Sequence, residues 1–203
     1  MTSERHLSGA QPNAPRDDGL PPIVPDDITG LLVAGGRETR SGGVDKGLQT
    51  HDGMPMALHA MLRLAPQVKA VMVNANRHLA AYESMGVAVW PDAMPDCEGP
   101  LAGWLAGLEH CDTPYLLTVP CDAPHFPADL ARRLAEALSA AAADVAVAAA
   151  LEAGCLQPQP LFCLLRSTLL ESLVAYLHSG RRDIAGWTVQ QRCVQVPFAN
   201  FRD

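Results

Sequence analysis

The sequence predicts an α/β fold in which helices cover both faces of a mainly parallel sheet, in three layers. Short apolar runs typical of buried strands alternate with segments of helical period along the 203-residue chain, as in right-handed βαβ units. Hydrophobic residues make up 48% of the chain and charged residues 18%, which is enough apolar material for one sizeable core. Because such sheets bind ligands beyond the carboxyl ends of their strands, we expect functional residues in the loops that directly follow the strands.

The first 27 residues differ in composition from the rest of the chain. They are polar, rich in Pro and Gly and without a strand or helix period, so 1–27 is predicted to be a flexible leader. A single domain is predicted over 28–203. Its first strand is predicted at 28–34, where ITGLLVA is apolar enough to be buried on both faces of a sheet. Further strands are predicted at 68–74, 87–90, 115–119, 144–149 and near 193–196.

Helices are predicted between these strands, at 56–65, 103–109, 127–143 and 167–178. The third has Pro127 in its first turn and a stripe of leucines at i, i+4 spacing, Leu130, Leu134 and Leu138. In the fourth, Ser167 is predicted to cap the start, and Gly180 to end the helix in a left-handed conformation.

Composition excludes several classes of protein. The 15 basic and 22 acidic residues give a net charge of −7, which argues against nucleic-acid binding but leaves room for a local basic pocket. No apolar run approaches the ~18 residues of a membrane span, and no apolar segment resembles a signal peptide, so a cytoplasmic protein is expected. The six cysteines lack CxxC spacing, which favours reduced, buried thiols over a zinc site or a disulfide scaffold. HExxH and GxSxG, the signatures of zinc and serine hydrolases, are absent.

The loop after the first strand, GGRETRSGGVDKG at 35–47, predicts a phosphate site. Glycine pairs let a backbone approach a bulky anion, and Arg37, Arg40 and Lys46 supply positive charge. The loop does not match a Walker A sequence, because Gly47 follows the lysine, and the dinucleotide fingerprint GxGxxG is absent. The alternative is a surface loop whose glycines only form turns.

The same loop resembles the signature of the molybdenum cofactor guanylyltransferases. The resemblance is carried by LVAGG at 32–36, Arg40, GG at 42–43 and DKG at 45–47, and it departs at Ser41, where the family usually has Met. It implies a Rossmann-like nucleotidyltransferase of the nucleotide-diphospho-sugar-transferase type. It also implies a catalytic role for Arg40 and Lys46, and nucleotide contacts from the strand end, Val33, Ala34, Gly35 and Gly36.

Two later strand ends match the family's nucleoside-binding segments. The resemblance implies a contact from Asn74, although Asn74 or Asn76 could instead cap the next helix. Asp92, in WPD, follows another strand. A carboxylate there can accept from a guanine or a ribose, or it can simply start a turn.

The segment VPCDAP at 119–124 ends a buried strand with an acidic residue between two prolines. Mg²⁺ prefers carboxylate and phosphate oxygens, and the resemblance places magnesium on Asp122, which is also its third catalytic residue. A turn-forming aspartate is the alternative. Cys121 is interpreted as a packing residue and not a nucleophile, because phosphoryl transfer needs none.

Fewer residues match the family's motifs on the side of the site that would bind the acceptor. GPLAG at 99–103 places Gly99 and Gly103 near a helix start, where they allow a ligand close or simply pack the helix on the sheet. QPQPLF at 157–162 and the pair Arg181–Arg182 also fit the family, and the arginines can hold an acceptor phosphate or lie in solvent. Asn200 matches the family's last segment, but Arg202 stands where a second Asn is usual.

The resemblance implies a magnesium-dependent enzyme that joins GMP from GTP to the phosphate of molybdenum-molybdopterin and releases pyrophosphate. Its partners would be these substrates and apo-molybdoenzymes or their chaperones, with no nucleic acid and no membrane. A cytidylyltransferase for the same pterin and a sugar-phosphate nucleotidyltransferase are alternatives. A non-catalytic carrier of nucleotide or pterin is the alternative from another class.

Overall fold

The computed structural model describes residues 21–34, 44–94, 99–152 and 154–199. The strands in this part of the chain are β1 (Ile28–Val33), β2 (Thr50–His51), β3 (Met54–Pro55), β4 (Ala70–Asn74), β5 (Ala88–Trp90), β6 (Tyr115–Pro120), β7 (Val145–Glu152), β8 (Cys155–Arg166) and β9 (Cys193–Phe198). The helices are α1 (Met56–Leu64), α2 (Leu79–Glu83), α3 (Pro100–Glu109), α4 (Leu130–Ala140), α5 (Leu170–His178) and α6 (Ile184–Thr188).

Seven of the described strands form one sheet in the order β5-β4-β1-β6-β8-β7-β9, and β2 and β3 form a separate hairpin. The pairs β4–β5, β1–β4, β1–β6 and β7–β9 are parallel. Strand β8 is antiparallel to both of its neighbours, β6 and β7. The prediction of a mainly parallel sheet is therefore confirmed.

Strand β1 lies inside the sheet and is buried along its whole length. The apolar run that predicted it leaves no polar face, as expected for a strand covered by helices on both sides. Gly30 lies where α1 packs across β1, and a Cβ on Gly30 would lie 2.7 Å from a methyl carbon of Leu64. A larger residue at this position would push α1 away from the sheet.

Two apolar clusters lie on opposite faces of the sheet and complete the three predicted layers. One contains side chains of α1 and α4, among them Leu130, Leu134 and Leu138, each with no exposed area. The other contains side chains of α3, α5 and α6, including the fully buried Trp104 and Trp187, whose rings meet edge to face. The leucine stripe at i, i+4 spacing thus marks a core face, as predicted.

Several element boundaries differ from the predictions. Strand β8, the hairpin β2–β3 and the five-residue helix α6 were not predicted. The helix expected to open near Asn74 or Asn76 is α2, which begins later, at Leu79. Helix α4 is shorter at both ends than 127–143. The capping role of Ser167 is wrong: its hydroxyl makes no cap bond, because the residue opens a 3₁₀ turn at Ser167–Leu169 and its N–H donates to Pro114 O.

Gly180 ends α5 as predicted, with φ +84° and an N–H that donates to Leu177 O at 3.1 Å. Of the predicted leader, residues 21–27 are described and contain a 3₁₀ turn at Pro25–Asp27, while residues 1–20 lie outside the described residues. No described helix is long and apolar enough to cross a membrane.

Candidate active site

Four parallel strands of the sheet end at the same level. Val33 of β1 stands opposite Asn74 of β4 and Pro120 of β6. Asn74 in turn stands opposite Trp90 of β5. The pairing continues one residue further, since Ala34 N donates to Asn74 O at 2.8 Å. The segments that leave these strands therefore start side by side, and the candidate site lies along this edge.

Lys46 and Asp122 meet at this edge although 76 positions separate them in the chain. The lysine Nζ lies 3.4 Å from Asp122 Oδ2. Their side chains are 55% and 34% exposed, so a ligand from solvent can reach both. A cation beside a partly exposed carboxylate can serve a polyphosphate and its divalent counterion together. The structure thus brings together two of the three residues predicted to be catalytic.

The backbone around Lys46 is held by its neighbours. Asp45 precedes a 3₁₀ turn at Lys46–Leu48, and its Oδ1 accepts from Gly47 N at 3.1 Å. The same oxygen accepts from the Tyr82 hydroxyl at 2.8 Å. Tyr82 belongs to α2 and has no exposed area. The lysine is therefore presented by a segment that is anchored in the core.

Asp92 is held by two asparagine side chains. Asn74 Nδ2 donates to Oδ1 at 2.9 Å, and Asn76 Nδ2 donates to Oδ2 at 2.8 Å. Asn76 Oδ1 in return accepts from Asp92 N at 2.8 Å. The alternative in which an asparagine caps the next helix is wrong, because α2 opens at His78 without a side-chain cap. The carboxylate instead has a fixed orientation at the end of β5.

Helix α3 packs tightly against Asn74. Gly103 faces this side chain, and a Cβ on Gly103 would lie 2.8 Å from Asn74 Cγ and closer still to Oδ1. That Oδ1 is buried and accepts no hydrogen bond from the described residues. Gly99 caps α3 with φ +110°, which only glycine adopts freely. The packing interpretation of Gly103 is thus supported, and Gly99 shapes the helix start.

Cys121 lies between the anchored segment and Asp122, with 6% of its area exposed. Burial, followed by the charge of Asp122, raises the pKa of its thiol to about 12. The sulfur therefore stays protonated near neutral pH and is a poor nucleophile. Its interpretation as a packing residue is supported. The expectation of buried thiols also holds for Cys163, but it is wrong for Cys155 and Cys193, which are exposed.

The arginine pair lies between α5 and α6. Arg182 Nη1 donates to Leu177 O at 2.7 Å and so closes the end of α5. The Arg181 guanidinium lies 5.7 Å from the ring centre of Tyr176. Both contacts are local to this helix end, and an acceptor-binding role for the pair stays a prediction.

Comparison with known proteins identifies the family. The model of the MobA-like NTP transferase domain matches residues 30–194 of this chain. The chain belongs to this family. Among its relatives, the molybdenum cofactor guanylyltransferase of Bordetella petrii is 62% identical over 85% of this chain and 88% of that protein. The protein of the same name from Bordetella pertussis is 59% identical over 87% of this chain and 89% of that protein.

A solved structure supports the fold. Molybdopterin-guanine dinucleotide biosynthesis protein A from Archaeoglobus fulgidus superimposes with a TM-score of 0.66, covering 83% of each chain, at 17% identity. The Rossmann-like nucleotidyltransferase fold expected from the resemblance is confirmed.

Five predicted site residues lie outside the described residues: Gly35, Gly36, Arg37, Arg40 and Asn200. Sequence reasoning missed two residues that the structure places at the site, Asn76 as a partner of Asp92 and Tyr82 as a partner of Asp45. The sequence could have indicated Asn76 as a site residue, since it lies in the same polar segment as Asn74. No sequence pattern indicated Tyr82, because α2 is too short to show a helical period.

Proposed function

We propose that this chain transfers GMP from GTP to the terminal phosphate of molybdenum-molybdopterin, forming the guanine dinucleotide cofactor and pyrophosphate. The observation that carries the proposal is the Lys46–Asp122 pair at the carboxyl ends of the parallel strands. It is found in a chain that is 62% identical to a relative named molybdenum cofactor guanylyltransferase. In this reaction the pterin phosphate attacks the α-phosphorus of GTP, and the bond from that phosphorus to the β-phosphate oxygen breaks. The chain is then a nucleotidyltransferase that needs no covalent intermediate.

Lys46 is the proposed partner of the triphosphate. Its side chain is 55% exposed, and its ammonium already lies 3.4 Å from a carboxylate oxygen of Asp122. On GTP binding it would neutralise charge that builds on the leaving pyrophosphate, the main way a protein assists phosphoryl transfer. Arg40 and the backbone of Gly35 and Gly36 are proposed to contact the same triphosphate, next to Val33 and Ala34 at the end of β1.

Asp122 is the proposed residue for Mg²⁺. Its carboxylate offers hard oxygen, is one-third exposed and stands beside the lysine that we assign to the triphosphate. This donor set fits magnesium, which takes one or two carboxylates together with substrate phosphates and water. No group of three or more His, Cys, Asp or Glu side chains in the described ranges could hold a metal, in keeping with a site completed by substrate. When bound, the ion would supply charge neutralisation on the phosphates.

Asp92 is the proposed nucleoside contact, and Asn74 acts mainly through it. Guanine presents N1–H and N2–H₂ as neighbouring donors, and a carboxylate can accept from both. Each Asp92 oxygen already accepts one amide hydrogen bond, which fixes the carboxylate and leaves lone pairs for a ligand. Asn74 is 1% exposed, so its larger contribution is to hold Asp92 in place.

The residues that contact the acceptor are proposed from their match to the family's motifs. They are Gly99, Gly103, Arg181, Arg182 and Asn200. Delivery of the product to apo-molybdoenzymes or their chaperones, and a cytoplasmic location, stay predictions. The cytidylyltransferase and carrier alternatives are outcomes of the experiment below.

The test is pyrophosphate release by the purified protein with molybdopterin, molybdate, Mg²⁺ and GTP, with CTP and ATP in parallel. We expect release with GTP only, lost on chelation of the metal. Lys46→Ala and Asp122→Ala should each lower kcat/KM by roughly 100-fold or more. Lys69→Ala, the other lysine of the chain, and Asp112→Ala, exposed before the start of β6, are matched controls that should keep full activity.

Other outcomes would reject parts of the proposal. Release with CTP instead of GTP would move the chain to the cytidylyl reaction. GTP binding without release from any nucleotide would favour a carrier. Unchanged kcat/KM in Asp122→Ala would remove the residue from the reaction.

A further inference from the structure

The buried hydroxyl of Tyr82 has no part in the reaction described above, yet it reaches the loop that carries Lys46. Tyr82 is fully buried in α2, and its hydroxyl donates to Asp45 Oδ1 at 2.8 Å. That oxygen also accepts from Gly47 N at 3.1 Å. The residues before and after Lys46 are thus held by one carboxylate oxygen, and that oxygen is held by the tyrosine.

Close packing reinforces this arrangement. Gly47 is buried, and a Cβ there would lie 2.5 Å from Tyr82 Oη and 2.9 Å from Cys121 Sγ. Cys121 directly precedes Asp122, which pairs with Lys46. The segment 45–47, the end of β6 and α2 therefore meet at one buried point directly behind the Lys46–Asp122 pair.

We propose that Tyr82 is a positioning residue of the nucleotide site, which acts through Asp45 to hold the backbone of Lys46 so that its ammonium reaches the triphosphate. This inference rests on the function proposed for Lys46. A lysine side chain is long and flexible, and a fixed backbone reduces the conformations it must give up when it binds a phosphate. Tyr82 touches no reacting atom, so it acts only through the residues that it holds, and the route that we propose is Asp45 and then Lys46.

The hydroxyl remains a donor at any pH at which the enzyme works. Burial raises the pKa of Tyr82 well above its ordinary value, and the hydrogen bond to the negatively charged Asp45 adds to this effect. A raised pKa keeps the phenol neutral and its proton available to Asp45. The contribution of Tyr82 should therefore be the same across the neutral pH range.

The test is Tyr82→Phe in the full-length protein, which removes the hydroxyl and keeps the buried ring. We expect the affinity for GTP, measured by calorimetry, and kcat/KM for GTP each to fall roughly 10-fold, as for loss of a hydrogen bond to a charged group. Tyr176→Phe is the matched control. The Tyr176 hydroxyl also donates to an aspartate, Asp183 Oδ1 at 2.8 Å, which likewise caps a helical turn through Gly186 N. That variant should bind GTP as the wild type does.

A double-mutant cycle separates positioning from general stability. In the Lys46→Ala background, Tyr82→Phe should cause no further loss of GTP affinity beyond about twofold, because its effect is already absent. Asp45→Ala removes the same hydrogen bond from the other partner and replaces Tyr82→Phe in the cycle if that variant is recovered unfolded.

The outcomes are distinct. Wild-type affinity for GTP in Tyr82→Phe, or equal losses in both backgrounds, would overturn the inference and leave the proposed function intact. A wild-type protein that neither binds GTP nor releases pyrophosphate would overturn the proposed function and this inference with it.

Discussion

Replacing Gly103 with alanine tests whether α3 controls the nucleoside end of the site. The new Cβ would lie 2.8 Å from Asn74 Cγ and closer still to Oδ1, whereas ordinary contact begins at 3.4 Å, so the two groups must separate by clearly more than about 0.6 Å. The amide cannot easily turn away, because its Nδ2 donates to Trp90 O and to Asp92 Oδ1. Either α3 shifts outward or Asp92 loses one of its two asparagine donors.

The magnitude follows from two opposing effects. Overpacking of this kind costs about 1–3 kcal/mol, while alanine in place of a helical glycine gains up to about 1 kcal/mol. We expect a net loss of about 1–2 kcal/mol, equivalent to a fall in Tm of roughly 2–8 °C for a chain of this size. The KM for GTP should rise as well, because the shift reaches Asp92 through Asn74.

Gly107→Ala is the matched control, one turn further along the same helix. Its Cβ would meet a methyl carbon of Leu31 at 2.6 Å and one of Leu116 at 3.0 Å, both at the ends of flexible side chains. We expect a smaller change in Tm and an unchanged KM for GTP. Differential scanning fluorimetry and steady-state kinetics measure the two effects. If Gly103→Ala kept the wild-type KM, or if both variants raised it equally, the link from α3 to Asp92 would be wrong.

Three further predictions concern single residues. Cys121→Ser should retain most of its activity, because the thiol only packs the site. Loss of a true nucleophile lowers kcat by roughly 10⁶-fold, so a near-total loss of pyrophosphate release would contradict this interpretation. The side-chain hydrogen bond from Arg192 is the main cause of the lowered pKa of Asp144. The pair therefore contributes fully to stability at pH values above the ordinary carboxyl pKa, and this contribution is lost as the pH falls through the lowered pKa of Asp144. The difference in Tm between wild type and Asp144→Asn should therefore shrink from pH 7 towards pH 3, and a constant difference would refute the assignment. Gly180→Ala, at φ +84°, should lower stability by about 1 kcal/mol in chemical denaturation, and an unchanged midpoint would show that the end of α5 adapts freely.

The strands that position the site could be predicted because they are buried on both faces. A strand such as β1, with six buried residues in a row, needs a continuous apolar sequence, and that sequence is visible without a structure. The roles proposed for the loop after β1 and for Asp122 rest on the same logic, since ligand-binding residues come directly after such strands.

Strand β8 was missed for a physical reason. Its first residues are mostly exposed and include Pro158 and Pro160, which lack the N–H that a sheet requires and so argue against a strand. The structure tolerates them next to an irregular stretch of pairing, where the register with β7 shifts between Val147 and Ala149. Only the apolar second half of β8, buried beside β6, resembles an ordinary strand.

The supporting residues of the site could not be predicted because they depend on contacts distant in sequence. Asn76 meets Asp92 across 16 positions, and Tyr82 meets Asp45 across 37. Such hydrogen bonds leave no periodic trace, and each partner alone is a common polar or aromatic residue. The pattern indicates where a ligand binds, while the side chains that hold the binding residues emerge only from the fold.

The position of β8 between β6 and β7 has a consequence for how the chain folds. Strands β7 and β8 are antiparallel neighbours that follow each other in the chain, so they can pair as soon as both have been synthesised, and β9 then adds to the other side of β7. This C-terminal unit joins the rest of the sheet, which includes the β6 strand that precedes Asp122, through the β6–β8 pairing of four residue pairs. The residues that β6 pairs with in β8 lie 45 to 51 positions away in the chain, against 87 positions for the pairs between β1 and β6. Because shorter separations close at a lower entropic cost, we expect the C-terminal unit to form on β6 before β1 completes the sheet.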